Sequence, residues 1–194
     1  MDRKKFKDIK KKYGKVGSWA VGTDESTKPK SNIGDLTILD PDINKKLLSQ
    51  LNPNIVFVGL NISRSIENPF ANFHDTRPYA NDFKIRDALK ATPYWGGYMT
   101  DVIKDFEQKI SGKVISYLRH NKLFEKENIE SFLQELEDIG AQNPTIIAFG
   151  NDAYTILKRN LNKKLTIFKI PHYAQYISKE RYREQVKEVL MIDK

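Results

Sequence analysis

Ile55-Val56-Phe57-Val58-Gly59-Leu60-Asn61-Ile62-Ser63 is the stretch on which the reading of this 194-residue chain turns. Core-type residues follow one another without a polar break up to Gly59, the pattern of a strand buried on both faces of a parallel sheet. Gly59 is expected to let the backbone turn tightly as the strand leaves the sheet, which puts Asn61 at a carboxyl end. In open α/β sheets ligands bind outside the carboxyl ends of the strands, so a carboxamide there faces a crevice. A second stretch repeats the arrangement: Leu165-Thr166-Ile167-Phe168-Lys169-Ile170 reads as a strand and is followed at once by Pro171-His172-Tyr173.

Working outward, residues 3–13 are lysine-rich and weakly periodic, a surface helix, and residues 14–38 carry Gly, Ser and Thr with little periodicity and read as an irregular arm. Asp40-Pro41-Asp42 has the form of a helix start, with the helix running to about Leu51. Residues 62–82 form a long connection rich in aromatics, which argues for function rather than disorder. A short helix is expected from Asp82 to Lys90, then a turn at the double glycine Gly96-Gly97 into a second strand. Ile129, Phe132, Leu133, Leu136 and Ile139 fall at helical spacing and Gly140 closes that helix. Thr145–Phe149 is a third buried strand, Gly150-Asn151-Asp152 opens a helix to about Arg159, and Ser178 starts a last helix to about Leu190.

Strands alternating with helices imply an α/β fold. The expectation is a three-layer α/β/α sandwich around a four-stranded, mainly parallel sheet, with strands near 55–60, 97–101, 145–149 and 165–170. Residues 1–30 would be a basic helix and irregular arm, and 31–194 a single domain.

Composition narrows the function classes. No apolar run approaches the roughly 20 residues needed to span a bilayer, and the first residues lack an apolar signal core, so a cytoplasmic protein that does not engage membranes is expected. Without cysteine there are no disulfides, no thiol catalysis and no cysteine-held iron–sulfur cluster. His74, His120 and His172 show no metal-ligand spacing, so neither a metal nor another cofactor is expected. The net charge of +8 favours a polyanionic partner. Residues 1–15 hold eight Lys or Arg against two Asp, so six of those charges lie there. Lys4, Lys5, Lys11 and Lys12, with Arg64, are the candidate nucleic-acid contacts; the alternative for the lysines is a solvated helix face.

Each candidate site residue also has a plainer role. Asn61 could satisfy turn amides, His172 could be a hydrogen-bonded rim histidine, and Phe70, Phe73, Tyr79, Tyr94 and Trp95 could be ordinary loop-anchoring core. What groups them is their place at or beside strand ends, where such a fold forms its pocket.

In order along the chain, Val58-Gly59-Leu60-Asn61-Ile62-Ser63, Pro69-Phe70-Ala71-Asn72-Phe73-His74, Tyr98-Met99-Thr100-Asp101, Ile146-Ile147-Ala148-Phe149-Gly150 and Ile170-Pro171-His172 resemble the uracil-DNA glycosylase superfamily over roughly residues 50–180. The first segment is similar to the Gly-x-Asn-Pro-Gly motif of the mismatch-specific and single-strand-selective branches. The last is similar to the His-Pro-Ser motif. The resemblance implies a uracil-DNA glycosylase-like fold, with Asn61 positioning the attacking water and His172 stabilising the departing base. It also implies that Phe73, by spacing, or Phe70, by its Pro-Phe-Ala context, stacks on that base, with Gly59, Leu60, Ser63, His74, Asp101 and Tyr173 around it. Ile62-Ser63 stand where the family has Pro-Gly, Tyr173-Ala174 where it has Pro-Ser, and Asp101 where many members carry the Asn that reads uracil. An ionised carboxylate only accepts hydrogen bonds and would meet uracil O4 lone pair to lone pair, which disfavours uracil.

The expected function is that of a divergent DNA glycosylase hydrolysing the N-glycosidic bond of a flipped, damaged or deaminated base. The partner is DNA, with RNA or a free nucleotide as alternatives. A catalytically silent binding module on the same fold is the rival reading. A small-molecule hydrolase is a more distant one, since there is no Gly-x-Ser-x-Gly, Walker or Gly-x-Gly-x-x-Gly motif.

Overall fold

The computed structural model describes residues 1–192. Its elements in chain order are α1 (Arg3–Tyr13), β1 (Ser18–Trp19), a 3-10 turn (Leu36–Leu39), α2 (Leu47–Gln50), β2 (Asn52–Asn61), α3 (Phe83–Leu89), β3 (Gly97–Ile103), α4 (Ser111–His120), α5 (Lys122–Ile139), β4 (Thr145–Phe149), α6 (Gly150–Asn160), β5 (Ile167–Ile170) and α7 (Lys179–Leu190). The fold is α/β with a central, mostly parallel sheet in the order β1-β3-β2-β4-β5. That makes five strands where four were expected. The extra one, β1, pairs antiparallel with β3 through Ser18↔Met99 and Trp19↔Tyr98. The other four strands are mutually parallel.

Alternation along the strands divides the core in two. Val56, Val58 and Leu60 of β2 and Ile146 and Ala148 of β4 face one layer, which includes Phe6 and Ile9 of α1, Val114 and Leu118 of α4, Phe132 of α5 and Ile156 of α6. Phe57, Ile147 and Phe149 face the other, with Ile85 and Leu89 of α3 and Tyr182 and Val186 of α7. Helices therefore cover both faces, as parallel sheets require.

Three expectations change. The segment from Asp40 does not run as one helix to Leu51; turns fill residues 41–46 and only Leu47–Gln50 is helical. The side chains of Asp40 and Asn44 instead accept from the backbone N–H groups of Asp42 and Lys46, closing local turns that compete with a helix. The lysine-rich helix α1 is exposed on one side only, because Phe6, Ile9 and Tyr13 are buried, with Phe6 tilted against Phe70 at 5.5 Å. Finally, Gly59 makes no turn. It lies inside β2, paired with Asp101 of β3, and a Cβ there would collide with Asp101 Oδ1.

Candidate functional site

β2 is central and its parallel neighbours lie on opposite sides, with β3 following it in the chain on one side and β4 on the other. The connections thus diverge between β2 and β4, the switch point at which open α/β sheets form their crevice. A cleft of about 770 Å³ opens there, lined by Gly59, Leu60 and Asn61 from β2, Asp101 from β3, Phe149 and Gly150 at the end of β4, and His172 and Tyr173 after β5. Ser63 also lines it. Its volume is in the range of small-molecule sites.

Asn61 is held by its amide nitrogen, which donates to the carbonyls of Ile62 (3.2 Å), Phe106 (3.0 Å) and Gln108 (2.8 Å). That pins the loop after β3 and fixes which end of the carboxamide is the acceptor. His172 accepts the backbone N–H of Ala174 on Nδ1 at 3.1 Å. Burial lowers its pKa, with Asp152 opposing, so the ring is neutral and carries its proton on Nε2 as a donor. It stacks on Tyr173 at 4.4 Å, and Tyr173 meets Phe149 edge-on at 5.2 Å, forming an aromatic wall.

Asp101 is only 4% exposed. Phe57 and Gly59 share its side of the sheet, and the missing Gly59 side chain leaves the space it occupies. Asn72, anchored to the Val16 carbonyl, donates to Asp101 Oδ2 at 2.9 Å. Burial raises the Asp101 pKa to about 6, against the Asn72 hydrogen bond and the nearby Lys104 charge. Lys104 reaches the Asp101 carbonyl at 2.7 Å and pairs with the fully buried Glu135, also at 2.7 Å.

Other expected site residues lie elsewhere. Phe70 does not reach the cleft: fully buried, it packs on Phe6, and its carbonyl accepts from Ser18 Oγ. Phe73 sits behind the wall, tilted on Phe149 and edge-on to Tyr173. Both have left-handed backbone, φ +67° and +62°, which turns their rings into the core. His74 is likewise structural. It is buried against the Ile33 carbonyl and Ser18 Oγ, and burial lowers its pKa to about 4. Of the basic candidates, Lys4 and Lys11 are exposed, Lys5 is half-buried, Lys12 pairs with Asp138, and Arg64 lies 3.5 Å from Asp75.

The far wall of the cleft comes from the long connection and holds residues that sequence reasoning passed over. Asp75 is clamped by Arg77, with Nε to Oδ2 at 2.8 Å. Asp82, 6% exposed, stands where α3 begins but does not cap it; its Oδ2 accepts the Asp75 N–H at 2.7 Å. Burial raises its pKa to about 6. The available signal is two acids seven residues apart at the end of an aromatic connection, of which only Asp82 has a sequence reading, as the start of a short helix.

In comparison with known proteins, the chain matches no family model, and no curated protein or solved structure matches it significantly.

Proposed function

We propose that the cleft takes up a flipped nucleobase and that the chain is a divergent N-glycoside hydrolase of nucleic acid, akin to the uracil-DNA glycosylase superfamily. One observation carries this reading. Asn61 as the last residue of β2, Asp101 within the carboxyl half of β3 and His172 just after β5 line one cleft beside an aromatic wall. In the proposed reaction the nucleotide leaves its stack at a cost of about a few kcal/mol and the base enters against Tyr173 and Phe149. Asn61 Oδ1, oriented because the amide nitrogen is tied to backbone carbonyls, would accept from a water aimed at C1′. His172 Nε2–H would donate to the base atom that gains charge as the bond breaks, a contribution of about 3 kcal/mol for such a donor. Asp101 would accept from the base edge.

One feature favours a silent base-binding module instead. The Asn61 amide nitrogen is fully engaged in holding the 106–108 loop, and no carboxylate follows it in β2 to act as a base. Incubation with single-stranded and duplex oligonucleotides bearing uracil, hypoxanthine, xanthine or alkylated bases, followed by alkaline cleavage of abasic sites, separates the two. Base release lost in Asn61→Ala and His172→Ala supports hydrolysis. Saturable binding without release assigns the silent module, and absence of both refutes the base-binding cleft.

A further inference from the structure

The cleft bears two carboxylates that form no ion pair among the described residues. Asp82 and Asp101 are both more than nine-tenths buried, both line it, and each has its Oδ2 satisfied by the protein. Their Oδ1 atoms have no hydrogen-bond partner among the described residues, and neither carboxylate forms an ion pair there. Of the cations nearby, Arg64 and Arg77 pair with Asp75 and Lys104 with Glu135, while Lys109, which also lines the cleft, pairs with neither Asp82 nor Asp101. Tyr173 lines the same cleft as both carboxylates.

Neither Oδ1 is among the fully buried unsatisfied atoms, so each opens to the cleft, where a ligand that brings donors and positive charge makes the stronger, charge-assisted hydrogen bonds. A metal ion is poorly served, because no group of three metal-binding side chains occurs among the described residues. An aromatic cation suits the two carboxylates and the ring edges of the His172–Tyr173 stack that line the cleft. We propose that this cleft selects cationic, N-alkylated purines over neutral bases, with Asp82 and Asp101 as the specificity-determining pair. This rests on the base-binding reading above.

The choice also suits the chemistry. When the C1′–N bond of a charged base breaks, its electron pair passes to the ring nitrogen and discharges the cation, so the base leaves neutral. The water oxygen bonds to C1′ and its proton is released to solvent water. No strong base and no strong oxyanion site are required, which matches a cleft offering a carboxamide and a neutral imidazole.

The test compares 7-methylguanosine with guanosine by titration calorimetry near neutral pH. In parallel, base release is measured from duplexes carrying 7-methylguanine, hypoxanthine or uracil. The expected result is that the methylated nucleoside binds roughly tenfold tighter or better. Asp82→Asn and Asp101→Asn should each remove that preference. Guanosine, hypoxanthine or uracil handled as well as or better than the charged base overturns the selectivity and leaves the base-binding cleft standing. Failure of every base to bind overturns both. A preference that survives both substitutions overturns the assignment to this pair. The wild-type comparison needs no variant, so a misfolded mutant cannot shelter the proposal.

Discussion

Replacing Asp101 by Asn should stabilise the protein at alkaline pH, although the residue is buried and hydrogen-bonded. Its carboxyl has an ordinary pKa of 3.8 and is raised to about 6 in the fold, chiefly by burial. The folded state therefore holds this proton more tightly than the unfolded chain does. Stability is unaffected by the shift below pH 3.8, falls as pH rises between 3.8 and about 6, and stays reduced above that. A shift of about 2 units at 1.36 kcal/mol each amounts to about 3 kcal/mol as an upper figure. The amide is isosteric and its oxygen can still accept from Asn72. Urea denaturation should then show Asp101→Asn more stable by about 1–3 kcal/mol near pH 8, with the gain shrinking towards pH 4. A variant less stable than wild type at pH 8, or a difference that does not change with pH, would mean that Lys104 and Asn72 already compensate the buried charge. The argument from burial would then fail.

Gly59→Ala drives a Cβ into Asp101 Oδ1 and to 3.4 Å from Phe73 Cζ. Denaturation should show a loss of about 1–3 kcal/mol, and calorimetry a loss of base binding. Lys104→Met leaves Glu135 charged and buried between Tyr98 and Thr100, and should lower unfolding free energy by about 3–5 kcal/mol. Phe6→Ala should cost a comparable 3–5 kcal/mol because α1 is part of the core; a negligible loss would return α1 to the status of an appendage. Lys4→Gln with Lys11→Gln, both exposed, should flatten the salt dependence of DNA binding by about two units of slope if these lysines meet phosphates, and leave it unchanged if they only solvate the helix.

The central strands were legible because a doubly buried strand is an unbroken apolar run. Thr145–Phe149 appears with the expected bounds, and the Val56–Val58 run is the core of β2. β1 was invisible because two residues carry no periodicity; Ser18 and Trp19 are strand only because β3 pairs with them. Helix α4 has just two buried side chains, Val114 and Leu118, too faint a stripe to stand out. In the site, strand ends placed Asn61 and His172 on one side of the sheet without any distance information, and Asp101 entered through the family resemblance. Phe70, Phe73 and Asp82 escaped that logic. The direction of a side chain in a long connection is set by backbone conformation and by distant partners, such as Phe6 for Phe70 and the Asp75 N–H for Asp82.

The packing of α1 has a consequence for the order in which the molecule is completed. Tyr13 and Lys12 close onto Asp138 at the end of α5, and Phe6 joins a cluster that includes Phe132 and Leu136. During synthesis from the amino end, the helix meets Phe70 only after roughly sixty residues have followed, and its partners on α5 only after well over a hundred. Contacts of such long sequence separation form late and slowly. The interval in which Phe6 and Ile9 are uncovered is therefore fixed by chain length and not by helix propensity. The lysines that alternate with them keep that exposed stripe from associating with other chains while it waits.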